Sequence, residues 1–468
     1  MNHQVLFLEF NEINFEFLEH YIRLGKLPNF ARCFKQHGYT RTTSESRLED
    51  LEPWIQWVSA HTGMTLAEHG VYRLGDIVDH EIPQIWEKLE EKGLKVGAVS
   101  PMNAKNRTRN ATFFVPDPWT RTKTTGPMVV EKMYEAISQA VNDNARAKLT
   151  VNSIVWLLAG LAAQARAANY TEYVRLAAGG RRKPWSKAMF LDLLLADVFV
   201  TQVGRTAPDF ATLFLNAAAH IQHHYMFSSA VYDGPQQNPA WYVAPGEDPL
   251  LEVYTLYDRI LGQVQATFPR AHIMMATGLH QDPYGEVTYY WRLVDHAGFL
   301  RRLGAPFVNV LPRMDRDFLV LCSSADDAAK TAGKLESARD LSGVRLFEVD
   351  NRGSGLFVTL TYPYEIGETF EYRVGEQTYS GFQKDVAFVA IKNGDHNSVG
   401  YFADMGAPKG THPSEFPLTQ IPSKIRALML DESTQETRTP VAAGLARGAT
   451  TACAALPGLI EQSLAWLV

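Results

Sequence analysis

The chain has 468 residues, of which 46% are hydrophobic and 21% are charged, a balance typical of globular proteins that excludes a disordered chain. Its formal net charge of -6 gives it no general attraction for nucleic acid, so we expect no nucleic-acid partner. Three cysteines without CxxC spacing exclude a disulfide framework and a thiolate zinc site, and they favour a reducing, cytoplasmic compartment.

The first hundred residues alternate between strands and helices. Val5–Phe10 is an apolar, β-favouring run without a basic segment before it, so it predicts a strand rather than a signal peptide. Asn14 is a good helix cap, further helices begin at Pro53 and cover Ile82–Lys92, and Lys95–Ser100 is a second strand. This alternation predicts an α/β core, with a central, mainly parallel sheet and helices on both faces.

Two later stretches differ from this core. Residues 127–205 are alanine-rich and helical throughout, whereas residues 296–390 combine short strands with a helix. Strands at Phe210–Asn216, His272–Ala276 and Val399–Phe402 continue the core. The predicted divisions are core 1–126, helical insertion 127–205, core 206–295, α+β insertion 296–390, core 391–435 and apolar tail 436–468.

The end of the chain bears on membrane attachment. The last 29 residues contain only Arg447 and Glu461 as charges, so this apolar tail either packs on the body of the protein or makes peripheral contact with a membrane or a partner. The longest apolar stretch elsewhere, near residues 154–163, is too short to span a bilayer. We therefore expect no transmembrane segment.

Polar side chains follow several of the predicted core strands. In a doubly wound sheet, ligands bind at the carboxyl ends of the strands, where the connecting loops converge. The candidates at these ends are Asn11 and Glu12 after the first strand, Asn216, His220 and His223 after the strand near 213, Thr277 and His280 after the strand near 273, and Asp395-His396 in a loop before the next strand. Four separate segments thus present polar groups to one expected crevice.

Each of these signals has a second interpretation. His220 and His223 are three residues apart on a helix, which lets two imidazoles meet one ion, although a helix start with solvated histidines has the same pattern. Glu52 precedes a helix, where the dipole favours a carboxylate in any case. Lys105 and Arg107 follow the second core strand and either face a phosphate or are merely solvated.

Several motifs, in order and spacing, resemble the alkaline phosphatase superfamily, especially its type I phosphodiesterase/nucleotide pyrophosphatase branch. They are Val5–Glu12 with the following Leu27-Pro28-Asn29, Thr62-Gly63 with His69-Gly70-Val71, and Gly394-Asp395-His396. The matched pieces span roughly residues 4–100, 207–296 and 386–430. The resemblance implies an alkaline-phosphatase-like fold and a site for phosphate esters.

The same resemblance implies two divalent cations, held by aspartates and histidines, beside a Thr or Ser nucleophile. In this chain the first family aspartate falls on Asn11, the nucleophile on Leu51, the Asp-x-x-x-His pair on Ala219 and His223 or on Asn216 and His220, and the Ser-Asp-His-Gly motif on Ala276–Leu279, while His396 is retained. Two neighbouring cations need several carboxylates to offset their repulsion. We therefore expect a remodelled site with one divalent metal (Zn, Mn or Mg) or none.

Three functions remain open. The first is a hydrolase or phospho-group transferase acting on a small anionic substrate, a phosphate ester or a sugar nucleotide. Its residues would be His220, His223, His280 and Glu52 for catalysis, Asn11, Glu12, Asn216, Thr277, Lys105 and Arg107 for substrate binding, and His223, His396 and Asp395 for metal. The second is a ligand-binding homologue without turnover, and the third is an assembly scaffold that uses the apolar tail.

Overall fold

The structure is a computed structural model that describes residues 4–45, 47, 50–142, 150–180, 182–313 and 316–430. The predicted apolar tail, with Arg447 and Glu461, lies outside the described residues. The α-helices are α1 Phe15–Arg23, α2 Pro28–Gln36, α3 Pro53–Thr62, α4 Leu66–His69, α5 Ile85–Glu90, α6 Met128–Asn142, α7 Val151–Gln164, α8 Tyr170–Gly179, α9 Ser186–Thr206, α10 Ala217–Tyr225, α11 Pro249–Thr267, α12 His296–Arg302, α13 Ala325–Ser337 and α14 Ile421–Leu430. Within the described ranges, none of them is both long and apolar enough to cross a membrane.

The strands are β1 Val5–Phe10, β2 Thr40–Thr43, β3 Val96–Val99, β4 Phe113–Val115, β5 Phe210–Leu215, β6 His272–Ala276, β7 His280–Leu293, β8 Asn309–Pro312, β9 Asp317–Leu321, β10 Arg339–Asp340, β11 Phe347–Asn351, β12 Gly355–Leu360, β13 Glu371–Val374, β14 Gln377–Ser380, β15 Val386–Asn397, β16 Val399–Asp404 and β17 Glu415–Pro417. The central sheet has eight strands in the order β17-β2-β16-β6-β1-β5-β3-β4. From β6 to β4 all neighbours are parallel, and β16 is antiparallel to both β6 and β2. The predicted mainly parallel sheet is confirmed.

Strand β1 lies at the centre of this sheet and is buried on both faces. Successive side chains of a strand point to opposite faces. Leu6, Leu8 and Phe10 therefore join the core beneath α1, α2 and α9–α11, whereas Val5 and Phe7 join a second core beneath α3, α5 and α14. Helices cover both faces of the sheet, as predicted, and only the ends of the strands are left for a site.

A long antiparallel ribbon, formed by β7 and β15, leaves the core and supports the strands and helices of residues 296–380. These elements pack around a separate apolar core and form a four-stranded and a three-stranded sheet. Pairing in the ribbon continues to Asn397 opposite His280. Asp395 and His396 therefore lie on a strand, and the prediction that they occupy a loop was wrong, because pairing with β7 extends the strand beyond its apolar part.

The Thr-Gly and His-Gly-Val motifs have structural roles. Gly63 and Gly70 end α3 and α4 with φ of 77° and 64°, a left-handed conformation that favours glycine. The Nδ1 atom of His69 accepts a hydrogen bond of 3.0 Å from the Val71 amide, so its Nε2–H donates to Ser59 Oγ at 3.1 Å. Burial lowers the pKa of His69 to about 4, which keeps the imidazole neutral.

Strand β16 ends in Asp404, whose carboxylate contacts two histidines. Asp404 on β16 contacts His272 Nε2 at 2.6 Å and His412 Nε2 at 2.9 Å. Burial opposes ionisation of this carboxyl, but the two imidazoles outweigh that effect and lower the pKa of Asp404 to about 2. Asp404 thereby ties the loop that carries His412 to the sheet.

We predict that Asp404 contributes stability only where it is ionised in the folded state. Because its pKa is lowered from 3.8 to about 2, this contribution is complete above about pH 4 and is lost as the pH falls toward 2. Allowing for solvent screening, Asp404→Asn should lower the free energy of unfolding by about 1–2 kcal/mol at pH 5. Denaturant midpoints of both proteins at pH 5 and pH 3 measure the difference. A difference that does not shrink at pH 3 contradicts the linkage.

Candidate metal centre

Glu12 stands where the chain leaves β1. The amides of Asn11 and Glu12 still bond to the carbonyls of Leu215 and Thr277, so the chain stays joined to both neighbouring strands. Glu12 then turns the chain with φ of 60°, an unfavourable conformation that costs about 1–2 kcal/mol for a residue other than glycine. Asn14 caps α1 two residues later, as predicted. Hydrogen bonds thus fix the chain before and after this turn, and the Glu12 carboxylate is buried.

Two imidazoles from distant parts of the chain meet this carboxylate. His223 comes from α10, after β5, and His396 comes from β15 in the ribbon. The Oε2 atom of Glu12 lies 3.2 Å from His223 Nε2 and 3.1 Å from His396 Nε2, and the two Nε2 atoms are 3.2 Å apart. The three atoms form a nearly equilateral triangle.

This triangle has the dimensions of one face of a metal coordination sphere. Donor atoms about 2.1 Å from a zinc ion lie about 3.4 Å apart at the tetrahedral angle and about 3.0 Å apart at a right angle. The observed separations of 3.1–3.2 Å fall between these values. Two histidines and one carboxylate also form the set of protein ligands that leaves coordination positions open for water and substrate. Glu12, His223 and His396 therefore fit one divalent ion.

Both oxygens of Glu12 are held by neutral amides. Asn11 Nδ2 donates to Oε1 at 2.8 Å, and Gln281 Nε2 donates to Oε2. Burial opposes ionisation of Glu12, but His396 and His223 outweigh burial and hold its pKa well below the usual range. The carboxylate is therefore ionised and fixed in orientation before any ion binds.

The outer nitrogens of the two imidazoles also have partners. The His223 Nδ1–H donates to the Gly394 carbonyl at 3.4 Å, and His396 Nδ1 lies 3.9 Å from Glu52 Oε2. The Gly394 carbonyl keeps the proton of His223 on Nδ1 and leaves its Nε2 lone pair for the triangle, while the Glu52 carboxylate acts on His396 by charge alone. Burial opposes protonation of His396, but the charge of Glu12 raises its pKa to about 8.

Glu52 stands directly before α3, at the rim of the centre. Burial raises the pKa of this carboxyl. The imidazoles of His396 and His223 oppose that effect, and the charges of Glu12 and Asp395 add to it. Its side chain remains partly exposed, with 37% of its surface accessible. A carboxyl group with a raised pKa at the rim of a candidate metal centre is suited to proton transfer.

Asn11, in contrast, is fully engaged and offers no oxygen to a second ion. Its Oδ1 accepts the indole N–H of Trp57 at 2.7 Å, while its Nδ2 donates to Glu12 and to Asn216 Oδ1. Leu51, at the position of the family nucleophile, is buried and has no hydroxyl group. The residues present therefore do not fit the two-cation arrangement that the sequence resemblance implies.

Two other predicted site residues have structural partners. His280 Nδ1 contacts the Val399 carbonyl at 2.5 Å, and its Nε2 lies 3.1 Å from Asp282 Oδ1. Thr277 is fully buried, and its hydroxyl oxygen accepts a hydrogen bond from the Tyr401 amide. These side-chain partners belong to β7 and β16 rather than to the triangle.

The remaining predicted residues lie around the centre or apart from it. Asp395 pairs with Lys392 at 3.0 Å, so Glu12 takes the ligand position that the sequence analysis assigned to Asp395. Lys105 and Arg107 both pair with Glu81 at 2.8 Å rather than with the triangle. His220 is exposed one turn before His223 on α10, and its ring packs against that of His224. A catalytic role for His220 stays a prediction.

Two glutamines that support the centre escaped the sequence analysis. Gln222 Nε2 donates to the Glu12 carbonyl at 2.6 Å, and its Oε1 accepts the Asn14 amide at 3.0 Å. Gln281 bonds to Glu12 Oε2 and to the carbonyl of Ala219. Gln222 precedes His223 and Gln281 follows His280, two histidines that the sequence indicated as site residues. This adjacency was the one signal in the sequence that could have identified the glutamines.

No family model and no curated protein sequence matches the chain. The chain is similar to the structure of phosphonoacetate hydrolase from Sinorhizobium meliloti 1021 with phosphonoacetate, at 12% identity and a TM-score of 0.43, over 90% of this chain and 94% of that one. It is also similar to murine ectonucleotide pyrophosphatase/phosphodiesterase 5 with AMP (10%, 0.40, 92% and 95%) and to a mutant of the alkaline phosphatase PafA (12%, 0.42, 91% and 95%). All three likenesses are distant.

We predict that the full-length protein, loaded with Zn²⁺ and desalted, retains about one ion per chain. His223→Ala and His396→Ala each remove one nitrogen of the triangle and should weaken Zn²⁺ binding by about 100-fold or more. Elemental analysis and isothermal titration calorimetry measure both quantities. His280→Ala is the matched control and should leave the affinity unchanged. Equal binding by all three variants contradicts the assignment.

Proposed function

We propose that this chain is a hydrolase of phosphate esters that works with a single divalent cation. The triangle formed by Glu12, His223 and His396 is the observation that carries the proposal, because its dimensions and donor types suit one ion with open positions. The triangle adjoins the carboxyl ends of β1 and β5, where ligands bind in sheets of this kind. The sequence resemblance to phosphodiesterases supplies the substrate class.

An ion held by the triangle would polarise a phosphoryl oxygen as a Lewis acid. The chain's own residues then have two tasks. The ion would be held by Glu12, His223 and His396. Glu52, at the rim of this triangle, would accept a proton. Because Leu51 stands at the position of the family nucleophile, we assign the attack to water rather than to a side chain.

In the proposed step the water oxygen attacks phosphorus and the bond to the ester oxygen breaks. The proton released by water passes to the Glu52 carboxylate, and the electron pair of the broken bond leaves with the ester oxygen. Burial raises the pKa of Glu52, which makes it a better proton acceptor than an ordinary carboxylate. A nitrophenolate leaving group is stable as an anion, so nitrophenyl esters isolate this step from protonation of the leaving group.

The charges around the centre favour a substrate with one negative charge. Among the described residues, the groups with the largest electrostatic effect on Glu52 and His396 are carboxylates and imidazoles, including Glu12 and Asp395. Lys392 is paired with Asp395, and Lys105 is paired with Glu81. Enzymes that bind phosphate dianions usually supply arginines or a second cation for them. We therefore propose a phosphodiester rather than a phosphomonoester as substrate.

A ligand-binding homologue without turnover is the second candidate. The engaged amide of Asn11 and the buried Leu51 favour it, because both replace groups that the related enzymes use for catalysis. Under this alternative the centre binds an ion and an anion, but Glu52 does not accept a proton from water. Turnover measurements separate the two functions.

We predict that the Zn²⁺- or Mn²⁺-loaded protein hydrolyses bis(4-nitrophenyl) phosphate and that Glu52→Gln lowers kcat by about 10²–10⁴-fold while the ion stays bound. Nitrophenolate release and elemental analysis of the same samples provide the two measurements. Glu45→Gln is the control, because this nearby carboxylate accepts the Leu66 amide and its replacement can still accept. A loaded wild-type protein without turnover would favour the ligand-binding function instead.

We further predict that the diester is hydrolysed with a kcat/KM at least about tenfold higher than that of 4-nitrophenyl phosphate at pH 8, where the monoester is a dianion. The extra charge of the monoester is repelled by the carboxylates around the centre. Steady-state kinetics with both esters and one enzyme preparation test this order. A preference for the monoester would contradict the proposed substrate class and would show that a further cationic group faces the substrate.

A further inference from the structure

We infer that Asp192, a buried carboxylate on α9, is a positioning residue for the metal centre, because it anchors the start of α10 and thereby fixes His223. The inference rests on the ion-binding part of the proposed function. Asp192 belongs to the stretch that the sequence analysis assigned to the helical insertion, and its contacts are with α10 and α11 rather than with Glu12. It acts on the centre through the helix.

Three residues of helix α10 contact the metal centre or the glutamine that supports it. His223 supplies a ligand atom, Gln222 bonds to the Glu12 carbonyl, and the Ala219 carbonyl accepts from Gln281. These contacts have lengths of 3.2, 2.6 and 3.0 Å. A shift or a rotation of the helix would therefore disturb a ligand and both supporting glutamines together.

The start of α10 lacks its usual cap. An asparagine at the N-cap position normally accepts a hydrogen bond from the first turn of its helix. Asn216 makes no such bond, because its Oδ1 accepts from Asn11 Nδ2 instead. The side chain of the cap residue is thus committed to the centre, and the amides of the first turn require acceptors from elsewhere.

Asp192 and Tyr257 provide these acceptors. Asp192 Oδ2 accepts the Ala217 amide at 2.7 Å, and the Tyr257 hydroxyl oxygen accepts the Ala218 amide at 3.2 Å. The same hydroxyl donates to Asp192 Oδ2. A negative charge at this end of a helix is favoured by the helix dipole. The Asp192 carboxylate therefore caps α10 in place of the Asn216 side chain, which is hydrogen-bonded to Asn11 instead.

The same helix carries a matched control. Asp197 lies five residues after Asp192, is also buried, and likewise accepts one backbone amide and one tyrosine hydroxyl, from Arg166 at 2.8 Å and from Tyr173 at 2.9 Å. It accepts the Asn169 side-chain amide at 2.7 Å in addition, so its loss removes at least as many hydrogen bonds. Its partners lie before and within α8, not on α10. Loss of Asp197 should destabilise the protein to a similar degree without moving α10.

The test compares Asp192→Ala with Asp197→Ala in the full chain. We expect Asp192→Ala to weaken Zn²⁺ binding by about 10–100-fold and to change the visible absorption of the Co²⁺-loaded protein, because the ligand geometry is altered. Asp197→Ala should keep the affinity within about threefold of wild type and leave the Co²⁺ spectrum unchanged. Asp192→Asn, which retains an acceptor for the Ala217 amide, should recover most of the lost affinity.

Equal affinities and spectra for the two alanine variants would overturn the inference. If Asp192→Ala does not fold, Tyr257→Phe removes the hydroxyl shared by Ala218 and Asp192 and should weaken Zn²⁺ binding by about 3–10-fold; an unchanged affinity overturns the inference equally. Ester hydrolysis is measured separately. Zn²⁺ binding without turnover would refute the proposed hydrolase activity. The role of Asp192 would still be decided by the Zn²⁺ affinities of the variants.

Discussion

The ionised, buried carboxylate of Glu12 is the interaction on which the rest of the centre depends. A carboxylate removed from water is strongly destabilised unless opposite charges and hydrogen-bond donors surround it. Here the two imidazoles and the amides of Asn11 and Gln281 surround it completely. The positive φ of Glu12 accompanies this burial, so an unfavourable backbone conformation and a buried charge occur at the same residue.

The fold satisfies this requirement with segments that are remote in the sequence. Parallel strands bring Glu12 and the start of α10 to one edge of the sheet, and the ribbon brings His396 there from a point almost 400 residues along the chain. His396 and Gln281 are directly opposite each other in the ribbon. One cross-strand pair thus delivers both a ligand and the amide that orients the carboxylate, so the ribbon is as much a part of the centre as the core.

Much of the fold could be predicted from the sequence, because apolar periodicity and helix caps are local signals. The β1 strand, the Asn14 cap and the mainly parallel sheet follow from them. The details of the centre depend on tertiary pairing instead. On a strand, neighbouring side chains point in opposite directions, so His396 faces Glu12 while Asp395 faces Lys392, and Gln281 faces Glu12 while His280 does not. Without knowing that β15 continues to Asn397, no local pattern separates these neighbours. The buried carboxylate of Glu9 on β1 likewise has a partner from a distant element, His61 on α3.

The contact between Trp57 and Asn11 limits which residue position 11 can hold. An amide can accept the indole proton and donate to Glu12 at the same time, whereas a carboxylate can only accept. An aspartate at position 11 would therefore place two negative groups side by side in a buried space and leave Glu12 Oε1 without its donor. Trp57 and Glu12 together thus make asparagine, rather than aspartate, the residue that this position requires.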